Sequence, residues 1–182
     1  MVSSINSPTY HLSRYLANIL SPLWGDTPHF VRNSEDLVKK IRGLQVENED
    51  KSISFDVKSL FTKVPIDLSL QIIDKRLRED NTLSHRTTLD PPTITMLTEV
   101  CLRTTYFQYG NEFFEQKDGA DMGSPLSPVV ANIFMEEFEN EALQEAGSKP
   151  RLWLRCVDDT FAIWSQGRDQ LEDFLSFLYG RH

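Results

Sequence analysis

The chain has 182 residues, of which 40% are hydrophobic and 25% charged, enough for one domain with a sizeable core. The two cysteines are too few for a disulfide framework, and charged residues interrupt every apolar run before it reaches membrane-spanning length. The N-terminus also lacks the layout of a secretory signal. We therefore expect the protein to reside in the nucleus or cytoplasm and not in a membrane. A net charge of −8 is unusual for a protein that grips nucleic acid through Lys and Arg.

The first half of the chain predicts helices around one amphipathic strand. Residues 33–36 (NSED) are typical of a helix N-cap, and apolar side chains follow at helical spacing: Leu37, Val38, Ile41 and Leu44. Residues 51–57 alternate, which predicts a strand with Asp56 on its polar face. The opposite, apolar face of that strand is formed by Ile53, Phe55 and Val57.

The second half predicts helices alternating with two hairpins. Helices are predicted to begin at Asp67, at Pro91 and at Ser127, and another spans residues 170–179. Residues 105–116 predict a hairpin with a Gly-Asn turn, and residues 152–164 predict a second hairpin. The helix from Ser127 carries an acidic run that we expect to face solvent: Glu136, Glu137, Glu139 and Glu141.

The second hairpin carries two adjacent carboxylates, Asp158 and Asp159, within an apolar pattern. Adjacent carboxylates repel each other, and placing them beside aromatic strands is costly unless a cation joins them. Divalent metals with hard oxygen ligands meet that need, and such sites serve phosphoryl and nucleotidyl transfer. If its strand neighbours the hairpin, Asp56 supplies a third carboxylate. The alternative is structural: Asp is common in turns and at strand ends.

Three segments of the chain resemble the motifs of reverse transcriptases. Residues 55–65 (FDVKSLFTKVP) resemble motif A, residues 119–136 (GADMGSPLSPVVANIFME) resemble motif B, and residues 157–159 (VDD) resemble motif C. Their wording is similar in particular to that of Penelope-like retroelements. Residues 2–10 and 20–23 are similar to the stretch that precedes motif A in that family.

The resemblance implies an RNA-directed DNA polymerase that transfers a nucleotide from dNTP to the 3′-hydroxyl of a DNA primer on an RNA template. Asp56, Asp158 and Asp159 would be its catalytic carboxylates. Together with the backbone carbonyl of Val57 they would hold two Mg²⁺ ions, with Mn²⁺ as the alternative metal.

Other motif positions imply contacts with nucleotide and nucleic acid. Phe61 occupies the place of the aromatic gate against the ribose 2′-hydroxyl, with core packing as its alternative role. Gly123 and Ser124 would lie at the nucleotide, or else form a turn and helix cap. Lys58 and Lys63 would contact phosphate, or else are solvated surface.

The implied fold is an α+β right-hand polymerase palm, a split βαβ core related to ferredoxin-like folds, with an antiparallel sheet. We expect a single partial domain, with a fingers remnant and lead-in helix at residues 1–50 and the palm at residues 51–182. The family's upstream fingers, its thumb and its GIY-YIG endonuclease are expected to be missing segments of a longer polyprotein.

Two residues depart from the family pattern. Asp121 stands in motif B where a small neutral residue is usual, and Cys156 replaces the aromatic before motif C. Two other functions therefore remain as alternatives. One is an inactive remnant, or a module reused to bind metal or a partner; the other is an RNA-directed RNA polymerase.

Overall fold

The computed structural model describes residues 7–116 and 118–181, so residues 2–6 of the motif-like lead-in stretch lie outside the described part of the chain. It is a mixed α+β structure with an antiparallel sheet, as predicted. Across the described residues, none of the helices is both long enough and apolar enough to cross a membrane.

The predicted helices and strands lie close to their expected places, and the first and third helices of the chain were not predicted. The helices are α1 (Tyr10–Leu20), α2 (Ser34–Ile41), α3 (Leu60–Lys63), α4 (Ile66–Glu79), α5 (Pro91–Arg103), α6 (Ser127–Glu145) and α7 (Arg168–Tyr179). The strands are β1 (Lys51–Asp56), β2 (Tyr106–Tyr109), β3 (Glu112–Glu115), β4 (Leu152–Cys156) and β5 (Asp159–Trp164). Asn33 caps α2 by accepting from the Asp36 backbone N–H at 3.0 Å, but the helix ends before Leu44.

The chain divides into two compact units. The first unit comprises residues 1–24 and 59–137, and the second comprises residues 25–58 and 138–182. Because the boundary at residues 137–138 falls within α6, that helix contributes its first part to one unit and its remainder to the other.

The second unit contains the sheet that carries the carboxylates. Among the described residues, β1, β5 and β4 form an antiparallel sheet in the order β1-β5-β4. One face of that sheet packs on α7, where Trp153, Trp164 and Phe174 are almost fully buried. Ile53 and Phe55 pack against the same cluster, which confirms the predicted apolar face of the first strand.

The first unit is built mainly from helices. Helix α5 contacts both α4 and α1. Each of these helices buries one apolar stripe, as its periodicity requires. The buried apolar side chains include Leu16, Leu20, Ile73, Leu77, Ile94 and Leu102. The hairpin β2–β3 also belongs to this unit, and its strands pair across the predicted Gly-Asn turn.

The expectation that the acidic run of α6 faces solvent holds for Glu141, which is exposed, but is wrong for Glu136 and Glu139. Glu136 and Glu139 are each only 2% exposed. In the first unit, Glu136 pairs with Arg76 at 3.0 Å, and the same guanidinium also donates to the Leu23 carbonyl at 2.9 Å. Glu137 is partly exposed: burial raises its pKa, but hydrogen bonds from Arg76 and Lys75 outweigh this and hold the pKa below its usual range.

We predict that Arg76→Met destabilises the chain by about 3–5 kcal/mol, because it removes the charge partner of a buried carboxylate. The control is Arg78→Met on the same helix. Arg78 pairs with Asp74 at 2.7 Å where its own side chain is 58% exposed, so its loss should cost less than about 1 kcal/mol. Urea denaturation measures both free energies of unfolding, and equal losses would contradict the assignment.

Candidate active site

Three carboxylates lie at one end of the sheet in the second unit. Asp56 is the last residue of β1, and its direct cross-strand partner is Asp159, the first residue of β5. Asp158 lies in the turn before Asp159, and its backbone carbonyl accepts from the Val57 N–H at 3.1 Å. The strands of motifs A and C are therefore neighbours, which is the condition under which Asp56 supplies a third carboxylate.

The donor set suits a divalent cation, although its side chains are not already gathered. Residues directly opposite in an antiparallel pair share one face of the sheet, which places Asp56 and Asp159 on the same face. Both are exposed and Asp158 is half-buried. Within the described residues, no three Asp, Glu, His or Cys side chains already form a metal-binding cluster. Carboxylate oxygens are nevertheless the ligands that Mg²⁺ prefers.

The turn that carries Asp158 has an unusual backbone. Val157 and Asp158 connect β4 to β5, and Val157 has a φ of 59°. A positive φ at the first position is typical of a type II′ turn, which normally places glycine there. A β-branched residue in this region costs about 1–3 kcal/mol, and such strain often accompanies a functional site.

A buried polar network lies beneath this turn, and the sequence analysis missed it. Arg155, with an exposure of 0%, donates from Nη1 to the Val157 carbonyl at 2.8 Å and pairs through Nε with Glu139 Oε1 at 2.9 Å. Trp153 Nε1 donates to the same Glu139 oxygen at 2.8 Å. The available signal was an arginine inside an apolar strand, since a buried arginine requires an acidic partner.

Phe61 and the start of motif B meet in the first unit through their backbones. The Phe61 carbonyl accepts from the Ala120 N–H at 2.6 Å, while the Phe61 side chain is half-buried. Gly119 has a φ of 72°, and a Cβ there would lie 2.4 Å from the Thr62 carbonyl carbon and 2.5 Å from the Phe61 oxygen. Only glycine fits this close approach.

The loop before α6 is organised by Asp121 and Ser124. The Asp121 carboxylate accepts from the Gly123 N–H at 3.0 Å, which forms a local turn. The Ser124 hydroxyl accepts from the Leu126 N–H at 3.3 Å, as the turn alternative for this segment predicts. The Asp121 carboxylate is therefore engaged by the backbone of its own loop.

The remaining predicted site residues lie at the surface. Lys58 and Lys63 are exposed, the first in the second unit and the second in the first unit. Cys156 carries a free, half-buried thiol and pairs across the strands with Asp159. The other cysteine, Cys101, is also free, and burial raises the pKa of its thiol.

The family is established by sequence. A family model described as reverse transcriptase (RNA-dependent DNA polymerase) matches residues 3–180, nearly the whole chain. The chain therefore belongs to the reverse transcriptase family, whose members are RNA-directed DNA polymerases, a class of nucleotidyltransferase. A sequence search against curated proteins finds no match.

Similar folds occur in telomerase structures. The Candida albicans telomerase with a TWJ fragment of telomeric RNA matches with a TM-score of 0.67 and 16% identity, over 96% of this chain and 32% of that chain. The Candida tropicalis telomerase with the same kind of fragment gives 0.65 and 20%, over 94% and 31%. These likenesses establish the polymerase palm fold, and the chain spans about a third of each telomerase chain.

We predict that Asp56→Asn raises the free energy of unfolding in metal-free buffer by about 0.2–1 kcal/mol, because it removes a like charge directly opposite Asp159. The gain should shrink as salt is added, since both carboxylates are exposed. Asp173→Asn, on an exposed position of α7, is the control and should change little. Thermal melts in chelator at two salt concentrations measure the effect; a destabilised Asp56→Asn variant would contradict it.

We predict that Gly119→Ala lowers the free energy of unfolding by more than about 2 kcal/mol, because the new Cβ overlaps the Phe61–Thr62 backbone at a positive φ. Gly147→Ala is the matched control, since a Cβ at Gly147 meets nothing within 4 Å. Guanidinium denaturation of both variants makes the measurement. Similar stabilities for the two would mean that motif B does not approach the Phe61 backbone so closely.

Proposed function

We propose that the chain is the RNA-directed DNA polymerase domain of a retroelement of the Penelope-like kind. The observation that carries the proposal is the register of β1 and β5, which pairs Asp56 with Asp159 and fastens the Val57 N–H to the Asp158 carbonyl. Three carboxylates at one sheet end suit a divalent metal, and the bound metal would in turn neutralise and hold the triphosphate.

In the proposed mechanism, Asp56, Asp158 and Asp159, with the Val57 carbonyl, would hold two Mg²⁺ ions. When bound, the ions would activate the primer 3′-hydroxyl as a nucleophile and would neutralise negative charge on the departing pyrophosphate. The protein contributes little covalent chemistry, so its residues act by orienting the primer terminus and the dNTP.

The other motif residues would select and orient the nucleotide. Phe61 would exclude a ribose 2′-hydroxyl by its bulk, and its backbone is held by motif B through the Ala120 N–H. Gly123 and Ser124 would contact the nucleotide or the templating base, from a loop already ordered by Asp121. Lys58 and Lys63, both exposed, would contact phosphate.

We further propose that the domain works within a longer polyprotein. A net charge of −8 is poorly suited to holding a template–primer duplex without help from basic segments. Fingers and thumb segments elsewhere in that polyprotein would supply those contacts. RNA template, DNA primer and dNTP are the expected partners, and the nucleus or cytoplasm is the expected location.

The test begins with the transcript, read outward in both directions from the coding sequence of this chain. The encoded protein is then assayed for primer extension on an RNA template. We expect deoxynucleotide incorporation that requires Mg²⁺ or Mn²⁺ and falls by more than about 10³-fold in Asp158→Asn, because several kcal/mol of transition-state stabilisation are lost.

Other results would each favour a different function. Equal use of ribonucleotides would favour an RNA-directed RNA polymerase, and Phe61→Ala should move the protein towards that behaviour. Metal binding without extension would favour a reused binding module. Stop codons on both sides of the coding sequence would favour an inactive remnant.

A further inference from the structure

We propose that Arg155 is a positioning residue for the carboxylates: its buried guanidinium holds the Val157 carbonyl and so fixes the turn that presents Asp158 and Asp159. The proposal concerns the same site as the proposed function and rests on it for the role of the carboxylates. The Arg155 side chain thereby sets the backbone conformation of the turn formed by Val157 and Asp158.

The Arg155 side chain is fully buried and makes two short contacts, a hydrogen bond and an ion pair. Its Nη1 donates to the Val157 carbonyl at 2.8 Å, and its Nε faces Glu139 Oε1 at 2.9 Å. The side chains of Arg155 and Glu139 are 0% and 2% exposed. A charged donor and a neutral carbonyl form a strong hydrogen bond, and this one is partly buried.

The position of the guanidinium is set from the sheet's aromatic core. Glu139 Oε1 also accepts from Trp153 Nε1 at 2.8 Å. The Trp153 ring stacks on Phe55 of β1 with centroids 5.5 Å apart and meets Phe174 edge-on. Trp153, which orients Glu139, therefore also packs against β1, the strand that ends in Asp56. The same ring thus contributes to holding the ends of β1 and β4.

The Arg155 backbone is held on the side of β4 away from β5. Its N–H donates to the His29 carbonyl, and its carbonyl accepts from the Val31 N–H, both at 2.8 Å. The side chain consequently projects from a fixed point of the sheet and has little freedom to follow a moving turn. A constraint of this kind can hold a turn in a strained conformation.

The turn needs such a constraint. Val157 has a φ of 59° and is 38% exposed, so burial of its side chain contributes little to holding the turn. A valine remains in this region only where its surroundings over-determine the backbone. The Asp158 carbonyl also accepts the Val57 N–H, so a turn that relaxed would disturb the link between motifs A and C.

A purely structural role for Arg155 is the competing explanation, in which the ion pair stabilises the unit and the turn does not depend on it. A double variant separates the two. Arg155→Met leaves Glu139 as an uncompensated buried charge, whereas Arg155→Met with Glu139→Gln removes both charges and keeps an oxygen for Trp153 Nε1. The double variant should recover stability without recovering the bond to the Val157 carbonyl.

The experiment compares the wild-type chain, Arg155→Met, the double variant and Arg151→Met. Arg151 is the control because it lies at the other end of β4 and pairs with Asp50 at 2.7 Å. The readouts are the melting temperature, the hydrogen-exchange rate of the Val57 amide by NMR, and Mn²⁺ affinity by water-proton relaxation. Amides in the middle of β5 report global opening and correct the Val57 rate for it.

We expect Val57 exchange to accelerate at least about tenfold and Mn²⁺ affinity to fall about tenfold in both Arg155→Met and the double variant. Arg151→Met should change neither. The proposal would be overturned if the double variant recovered the wild-type melting temperature and, with it, the wild-type Val57 exchange rate and Mn²⁺ affinity. If wild type binds Mn²⁺ no better than Asp56→Asn does, the proposed function fails, and Val57 exchange alone then decides the role of Arg155.

Discussion

Arg155 and Glu139 place opposite charges 2.9 Å apart where neither side chain reaches solvent. Either charge alone would be very costly at that depth, so the two side chains must be placed together. That requirement couples β4, which carries Arg155, to the second half of α6, which carries Glu139. It also fixes where the guanidinium's remaining donors point, and one of them reaches the carbonyl of the turn at the end of the sheet.

The end of the sheet that carries the carboxylates contains two features that are unfavourable in an ordinary hairpin. It sets two like charges directly opposite each other and a valine where a type II′ turn favours glycine. The aromatic cluster on the other face, with Trp153, Trp164 and Phe174 at its centre, supplies the burial that offsets these costs. A stable core on one face thus permits a strained and charged end of the same sheet.

Helix α6 carries two buried glutamates that each require an arginine partner, one in each unit. Glu136 pairs with Arg76 in the first unit, and Glu139 pairs with Arg155 in the second. These glutamates are three residues apart, so they lie on nearly the same side of the helix. The polarity of this side is therefore structural, and both glutamates pair with arginines from other elements, Arg76 of α4 and Arg155 of β4.

Residue periodicity and the sequence motifs were enough to predict much of the secondary structure of this protein. The alternation of residues 51–57, the Gly-Asn turn and the apolar pattern around Asp158 predicted the strands, because short-range side-chain spacing decides which face of a strand is buried. The N-cap at Asn33 was predictable for the same local reason. The roles of the site residues remain predictions, since they concern ligands rather than chain conformation.

Tertiary structure decided the features that depend on distant partners. An acidic run is normally solvated, and only the positions of Arg76 and Arg155 make Glu136 and Glu139 buried. The need for glycine at position 119 likewise arises from the Phe61–Thr62 backbone, far away in sequence. Local sequence pattern therefore predicted a strand that carries Asp56 and a hairpin that carries Asp158 and Asp159. Long-range pairing decided that they meet at one end of the sheet and what holds them there, because a buried charge or a close backbone contact exists only once the chain has folded around it.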